Sequence, residues 1–480
     1  MEPQASRASA AEIDASCRWP VGFLLTKSLG WLLVASCLSV LSSIKLHAPG
    51  FLANCSWLTY GRVQPAAWNC FVFGFASQAA LGVALWLSAR LTGTLLVGAR
   101  TICVGTVLWN LGITVGLLGI LAGDGTGIES LELPAYASPI LFAGYLAIAS
   151  WSIVTGYQRR GEPLFVSQWY LMAAIFAFPW VFSAGHLMGV FFPLRGILQA
   201  AVQVWYWQNL FTLWLSFIGL AILFYLLPKL TGVAVPSRPL AVFGLWTMAL
   251  FGSFGGMYRY LGGPIPAYMV STGVVGTVLT IVPLLAVAMN LWPVYRSRVQ
   301  SEESVNVVRF VGFALVSYLV HGLLTVLSSL QAFGRITHFT LLTVAMDQLF
   351  LQGFVGMALL GATLYVLPRL FEINWPSLGF TRFYFRCVGG GIALGVIALA
   401  AGGIVQGLAM ENATIPFFDV VRRYVPFAGT STLANLVIAF GNFVLCAAVS
   451  LQVLLWLAER YVPSVWAWFQ PSPVVREAKA

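Results

Sequence analysis

Residues 197–227 read ILQAAVQVWYWQNLFTLWLSFIGLAILFYLL, a run in which no side chain is charged. About twenty consecutive apolar residues are enough for an α-helix to cross the hydrocarbon core of a bilayer. A run of this length, with scattered polar residues but no ions, predicts a membrane-spanning helix rather than part of a soluble core. The same pattern recurs along the rest of the chain.

Eleven further apolar runs are long enough to span a bilayer. They lie at about 21–46, 67–89, 99–122, 135–157, 166–192, 239–261, 265–293, 308–332, 339–367, 387–410 and 428–458. Of the 480 residues, 59% are hydrophobic and only 8% are charged, whereas soluble domains carry about 25% charged residues. We therefore expect an all-α integral membrane protein of about twelve helices. The domain would occupy 21–460, between cytoplasmic tails at 1–20 and 461–480.

The distribution of Lys and Arg predicts the orientation. With a cytoplasmic N-terminus, 18 of the 25 basic residues fall on the cytoplasmic side and 7 on the outer side. Because cytoplasmic loops are enriched in Lys and Arg, both termini are expected inside.

The chain has no run of basic residues, so nucleic acid is not an expected partner. None of the seven Cys forms a Cys-x-x-Cys pair, which argues against a c-type haem and a thiolate zinc site.

Two spans end on similar pentapeptides. Tyr225–Lys229 (YLLPK) ends the sixth span and Tyr365–Arg369 (YVLPR) ends the tenth. Each places Pro and then a cation at a cytoplasmic helix end, where a cation complements the helix dipole. A generic helix stop would give the same pattern, but the four-helix spacing also fits a bundle built from repeated arcs.

Several segments together resemble a known family. They are Tyr60–Asn69 (YGRVQPAAWN), Val204–Asn209 (VWYWQN) with Tyr225–Lys229, Thr337–Thr340 (THFT) and Gly403–Leu408 (GIVQGL). In order, spacing and span count this set resembles the catalytic subunit I of haem–copper oxidases, specifically the C-family or cytochrome cbb-type, over nearly the whole chain. The resemblance implies the twelve-helix arrangement of that subunit, a bacterial inner membrane, haem b, a high-spin haem beside copper, and oxygen reduction coupled to proton pumping.

The metals of that family require six His ligands, but this chain has only four His, at 47, 186, 321 and 338. The family's low-spin haem ligand falls on Ala67, the copper ligands on Gln208, Tyr258 and Arg259, and the two haem ligands of the tenth span on Met346 and Gln348. The cross-linked Tyr falls on Gly252 and a family Glu on Leu324, while His338 matches a His that is not a metal ligand. Arg is always charged and therefore hostile to a copper ion.

These substitutions favour a ligand-less homologue: a structural or regulatory membrane subunit of a bacterial respiratory or electron-transfer complex, without haem or copper of its own. The alternatives are a working terminal cytochrome c oxidase with haem b and copper, and a transporter or channel. Expected partners are membrane lipid, other membrane subunits and, at the outer face, a cytochrome c domain. The acidic loop at 123–134, with Asp124, Glu129 and Glu132, is either solvated or the docking surface for such a basic domain.

Four polar residues are candidates for function within or beside the spans. Asp347 lies between the two former haem-ligand positions, and an ionised Asp deep in a bilayer costs about 2.5–3.5 kcal/mol. Arg259 is its preferred partner, the alternatives being Thr343, Gln348 or a position near the head groups. Arg62 is expected to pair with an acid or a lipid head group. His321 either packs between helices or serves a proton path.

Two further expectations concern packing and the remaining histidines. The side chains of Trp68, Trp207, Tyr258 and Met346 are expected to fill the space that haem occupies in the family. His186 is expected to bond a backbone carbonyl near the outer surface, and His47 to be solvated.

Overall fold

The computed structural model describes residues 8–158, 164–263, 265–299, 302–373 and 377–469. Within these residues no β-strand occurs, and twelve helices are long and apolar enough to cross a membrane. In chain order they are α1 (Ala10–His47), α2 (Tyr60–Thr92), α3 (Ala99–Ala122), α4 (Ser138–Tyr157), α5 (Val166–Phe191), α6 (Ile197–Thr231), α7 (Arg238–Tyr260), α8 (Ala267–Tyr295), α9 (Ser304–Ser329), α10 (Leu341–Phe371), α11 (Leu378–Met410) and α12 (Phe417–Tyr461).

The first helix begins earlier than hydropathy predicts. It begins at Ala10, where the side chains of Ser9 and Glu12 form a reciprocal capping box, which satisfies amides at the free helix end. Much of the expected tail at 1–20 is therefore helical. Asp14 within it is buried and accepts a hydrogen bond from Trp86 Nε1 at 2.9 Å. Residues 1–7 lie outside the described part of the chain.

The last helix is also longer than its apolar run. It starts at Phe417, eleven residues before the predicted span, and the helical backbone continues to Phe469. The expected tail at 461–480 therefore begins within a helix, and its residues 470–480 lie outside the described part. A hydropathy window detects only the part of a helix that is rich in apolar residues, which explains both differences.

Three helices form the centre of the bundle. In α2, α6 and α10, 94% of the most apolar 18-residue stretch is buried within the protein, against 33–50% in the other nine helices. These three are spaced four apart in the chain, as the repeated pentapeptides suggest. Each of the nine peripheral helices must contact both lipid and protein, whereas the inner three are enclosed by protein on nearly all sides.

Each inner helix contains a π-helical segment at the same level. The segments are Cys70–Ser77 in α2, Leu210–Ser216 in α6 and Leu349–Gly356 in α10. A π-helical turn widens the helix and often marks a functional site. Here all three begin within four residues after former metal-ligand positions, at Ala67, Gln208 and Gln348. The backbone of the metal-binding fold is thus retained.

The ends of the inner helices that carry the repeated pentapeptides meet at one aromatic residue. The buried ring of Trp86 on α2 lies 5.7 Å from the ring of Tyr225 on α6 and 5.9 Å from that of Tyr365 on α10. Trp86 is followed by Arg90 at the spacing that separates Tyr225 from Lys229. The structure therefore reveals a third member of the repeat, which the sequence conceals because Ala89 replaces Pro.

We expect Trp86→Ala to destabilise the bundle by about 3–5 kcal/mol, the usual cost of removing a buried aromatic side chain. The measurement is the thermal unfolding midpoint of the purified protein in mild detergent. The control is Trp246→Ala, because Trp246 is 59% exposed on the outside of α7. Equal midpoints for the two variants would show that the junction does not hold the inner helices together.

Candidate functional site

The six positions where the resemblance places metal ligands are called the former ligand positions below. They lie in one half of the bundle, the half that is expected to face outward. Ala67 lies on α2 and Gln208 on α6, each ahead of the π-helical segment. Tyr258 and Arg259 lie in the short 3₁₀ turn that ends α7. Met346 and Gln348 lie on the first two turns of α10. Gln208, Tyr258 and Arg259 line one cavity, whereas Ala67, Met346 and Gln348 do not.

Arg259 and Asp347 form an ion pair across α7 and α10. The Nη2 atom of Arg259 lies 3.4 Å from Oδ1 of Asp347. Each side chain keeps about a quarter of its surface exposed, 28% and 26%, and this surface faces an internal cavity. An isolated charge at this depth would be costly, so each residue provides the opposite charge that the other needs.

Gln208, at a position where the resemblance places a copper ligand, joins α6 to α7. Its Nε2 donates to Gly252 O at 3.0 Å and to Thr212 Oγ1 at 3.1 Å. A Cβ atom on Gly252 would lie only 2.6 Å from Cγ2 of Thr212. The two helices are therefore in contact at Gly252, and a larger side chain at this position requires Thr212 to move.

The three former haem-ligand positions contribute no converging donors. Ala67 is buried and has no donor atom. The sulfur of Met346 accepts a hydrogen bond from Ser328 Oγ at 3.5 Å. Gln348 donates to Gln352 Oε1 at 3.3 Å on its own helix, and its side chain lies against Gly395 of α11. These side chains bond to neighbouring helices or to their own helix instead of to a common central point.

An aromatic stack joins the inner helices beside the former ligand positions. The rings of Trp68 and Trp207 lie 4.3 Å apart, Trp207 and Phe211 4.1 Å, and Phe211 and Phe350 4.4 Å. Trp68 and Trp207 were expected to fill this region. Phe211 and Phe350 were not anticipated, although Phe211 lies three residues after Gln208 and Phe350 four residues after Met346, spacings at which side chains are neighbours on a helix.

A small polar cavity of about 60 Å³ lies between α6, α7, α8, α9 and α10. A water molecule needs at least about 10–15 Å³ by this measure, so the cavity has room for a few waters. Its polar lining comprises Gln208, Thr212, Ser216, Tyr258, Arg259, Thr277, Thr280, Tyr318, His321, Thr325 and Asp347. The arrangement can hold water and a charge pair, and it is much smaller than a haem.

The histidines lie apart from one another. Nε2 of His321 is 3.4 Å from Thr325 Oγ1 on the same helix, and its ring lies 5.0 Å from that of Phe350. The ring of His338 lies 5.8 Å from that of Tyr258. As expected, His186 bonds a carbonyl: its Nδ1 lies 2.9 Å from Phe182 O. His47, expected to be solvated, instead lies 3.1 Å from Thr432 Oγ1.

In the described part of the structure Arg62 does not pair with an acid, one of its two expected partners. Its Nη1 donates to Leu121 O at 3.1 Å, and its guanidinium lies against Gly123, which ends α3 in a left-handed conformation with φ +108°. The last carbonyls of a helix lack intrahelical partners and carry partial negative charge. The end of α3 therefore replaces the expected carboxylate, a partner that sequence alone does not reveal.

The acidic loop between α3 and α4 is only partly solvated. Asp124 and Glu129 are exposed, but Glu132 is buried. Its carboxylate accepts hydrogen bonds from Asn69 Nδ2 at 3.1 Å and from Ser130 N at 2.8 Å. Burial raises the pKa of Glu132 above its ordinary value, and the two hydrogen bonds oppose part of that rise. The expectation of a fully solvated loop is therefore wrong for Glu132.

The side chains present do not fit a haem–copper centre. Imidazole suits both haem iron and copper, and none of the six positions provides it. Met346 has a sulfur that can ligate iron, but its counterpart on α2 is Ala67. The ion pair and the aromatic stack also occupy part of the region between the inner helices.

Comparisons with known proteins agree with this architecture. The family model for cytochrome c and quinol oxidase polypeptide I matches residues 20–437. The chain is 22% identical to the Cbb3-type cytochrome c oxidase subunit CcoN1 of Stutzerimonas stutzeri, over 79% of this chain and 81% of the relative. It is also 22% identical to a bacteroid cytochrome c oxidase subunit 1 homolog of Bradyrhizobium diazoefficiens, over 92% and 82%.

The fold also matches a solved structure. A chain from a cryo-EM structure of a heme-copper terminal oxidase dimer superposes with a TM-score of 0.69 at 12% identity. The match covers 93% of this chain and 84% of the other. The predicted twelve-helix arrangement is confirmed by this similarity of fold.

We expect Asp347→Leu to destabilise the protein by about 3 kcal/mol. Removing one partner of a buried ion pair costs about 3–5 kcal/mol, and the partial exposure of this pair to the cavity favours the lower value. Asp347→Asn, which keeps a hydrogen-bond acceptor, should be less harmful. The measurements are membrane yield and the thermal midpoint. The control is the double variant Asp347→Leu/Arg259→Met, which removes both charges and should recover stability; a fully stable Asp347→Leu would disprove the coupling.

The raised pKa of Glu132 predicts a pH-dependent stability. Because the folded pKa lies above the unfolded one, the folded state binds the extra proton, and stability falls as pH rises between the two values. We expect Glu132→Gln to remove this fall, so that its midpoint exceeds that of the wild type at pH 7 and approaches it at pH 4. Melting curves across this range test it, with exposed Glu129→Gln as control. An unchanged pH profile would contradict the prediction.

Proposed function

The chain belongs to the cytochrome c and quinol oxidase polypeptide I family, and we propose that within it this protein is a non-catalytic membrane subunit of a bacterial respiratory or electron-transfer complex. Its role would be structural or regulatory, with other membrane subunits as partners. The observation that carries the proposal is the donor set at the six former ligand positions. The family's fold is retained there, while the chemistry needed to bind haem and copper is replaced residue by residue.

The replacements support the proposal because they are mutually compatible. The introduced Arg259 has an opposite charge within 3.4 Å, and Gln208 has a backbone acceptor on the neighbouring helix. Random loss of ligands would leave unpaired polar groups, which are costly within a membrane. A set of side chains that pair with one another is expected for a protein selected to fold without the metals.

The proposed location and orientation in the membrane rest on the distribution of basic residues. The 18-to-7 distribution of basic residues supports a bacterial inner membrane location with both termini in the cytoplasm. On the outer face, the exposed acids Asp124 and Glu129 would be the contact for a basic partner such as a cytochrome c domain. Glu132 would not contribute, because its carboxylate is turned inward against Asn69.

A transporter is the alternative that one structural observation favours. Buried ionisable residues beside a polar cavity are typical of ion and proton paths, and the pair Arg259 and Asp347 lines such a cavity. A flux assay with the protein in liposomes separates the two functions. Flux that disappears in the Asp347→Asn variant would favour transport over a structural role.

We expect the isolated polypeptide to carry neither haem b nor copper. The measurements are a haemochrome assay, metal analysis and an absorption spectrum after purification in mild detergent, with mass spectrometry of co-purifying subunits. An unmodified relative that has all six His, purified in parallel, serves as the positive control. One haem or more per chain in the absence of a partner subunit would refute the proposal, and so would oxygen reduction by the isolated chain.

A further inference from the structure

A basic groove lies between α8, α9 and α11, far from the former metal site. Its volume is about 490 Å³. Tyr295 ends α8, Arg309 lies near the start of α9, and Arg382 and Arg386 lie near the start of α11. Because successive helices cross in opposite directions, all four residues lie on the same side of the membrane. The count of Lys and Arg assigns that side to the cytoplasm.

The groove presents three guanidinium groups. Arg382 and Arg386 are four residues apart on α11 and therefore share one face of the helix; both are exposed. Arg309 is partly buried and donates to Asn306 Oδ1 at 3.2 Å. No described carboxylate lies within ion-pair distance of any of the three. The nearest acids in the sequence, Glu302 and Glu303, start the helix, and their side chains lie outside the described part.

The floor of the groove is apolar. The rings of Phe313 and Phe385 meet edge to face, 6.2 Å apart. A Cβ atom on Gly312 would lie 2.8 Å from Cζ of Tyr295, so the absence of a side chain there lets the tyrosine ring lie against α9. Val316, which also lines the groove, is 39% exposed. The groove therefore continues from a charged edge onto the apolar surface of the bundle.

The groove has charged side chains at the membrane surface and apolar side chains deeper in the bilayer, and a phospholipid has its phosphate and its acyl chains in the same order. Arg309 and Val316 are seven residues apart, which is about 10 Å along a helix. That distance separates a phosphate at the membrane surface from the upper part of its acyl chains. A water-soluble anion would use the arginines but would leave the aromatic floor without a contact.

We propose that this groove binds an anionic phospholipid with a diphosphate head group, of the cardiolipin type. The three guanidinium groups carry three positive charges, and no described carboxylate neutralises them. This charge matches the two negative charges of a diphosphate head group better than the single charge of one phosphate. Basic pockets between transmembrane helices on the cytoplasmic side bind head groups of this kind. Arginine also favours phosphate because its planar fork donates two parallel hydrogen bonds. The acyl chains lie along Phe313, Val316 and the adjoining lipid-facing surface.

The test is retention of lipid by the full-length chain in phosphatidylcholine nanodiscs doped with cardiolipin or, at equal phosphate content, phosphatidylglycerol. Native mass spectrometry and the thermal midpoint report binding. Each basic residue near the membrane surface strengthens binding about fivefold, so R382Q/R386Q should weaken cardiolipin retention by about 25- to 30-fold. The matched control R296Q/R298Q removes the same charge on the same membrane side but outside the groove, and it should behave as wild type.

Three outcomes would overturn the proposal: equal retention by both double variants, equal retention of cardiolipin and phosphatidylglycerol by the wild type, or displacement of the lipid by millimolar inorganic phosphate. The third would identify a site for a free anion. If R382Q/R386Q does not fold, the wild-type comparison of the two lipids and the single variant R386Q, which should weaken cardiolipin retention about fivefold, still decide the matter. The result does not depend on whether the chain is catalytic.

Discussion

Direct contact among α2, α6 and α10 is the constraint on which the rest of the structure depends. No other helices among those described are so nearly enclosed by protein, and their π-helical segments lie at one level. Lipid cannot form hydrogen bonds with a polar group in this region, so a donor or acceptor without a partner in the protein is costly there. The nine surrounding helices enclose this core, and the short segments between them bring further polar residues to its outer end.

The same constraint applies to the charged and polar residues at the positions where the resemblance places metal ligands. A single Arg at a copper position would leave a charge without a partner inside the bundle. Asp347, on the neighbouring helix, provides that partner at 3.4 Å. Where a ligand became Ala67 there is no polar group to satisfy, and bulky rings from α2, α6 and α10 pack beside it. Packing and charge pairing thus occupy part of this region.

At the outer end of the bundle, polar side chains are satisfied mainly by backbone groups. Its segments bring polar groups close to helix ends, where unsatisfied backbone groups are available. Arg62 therefore bonds the carbonyl of Leu121, and Glu132 folds back onto Asn69 and the amide of Ser130. These interactions tie α2 to the segment between α3 and α4. They also reduce the acidic surface that the sequence suggests for this loop to Asp124 and Glu129.

The sequence alone determined the number and order of the spans, because a bilayer requires apolar runs of fixed length and hydropathy is a local property. It also suggested Arg259 as the partner of Asp347, since few charges lie within the spans. Tertiary structure alone decided the role of Trp86 as the junction of three helices, the burial of Glu132, the carbonyl partner of Arg62 and the contribution of Phe211 and Phe350. Each depends on which residues from distant parts of the chain meet, and composition and spacing along a helix carry no record of that.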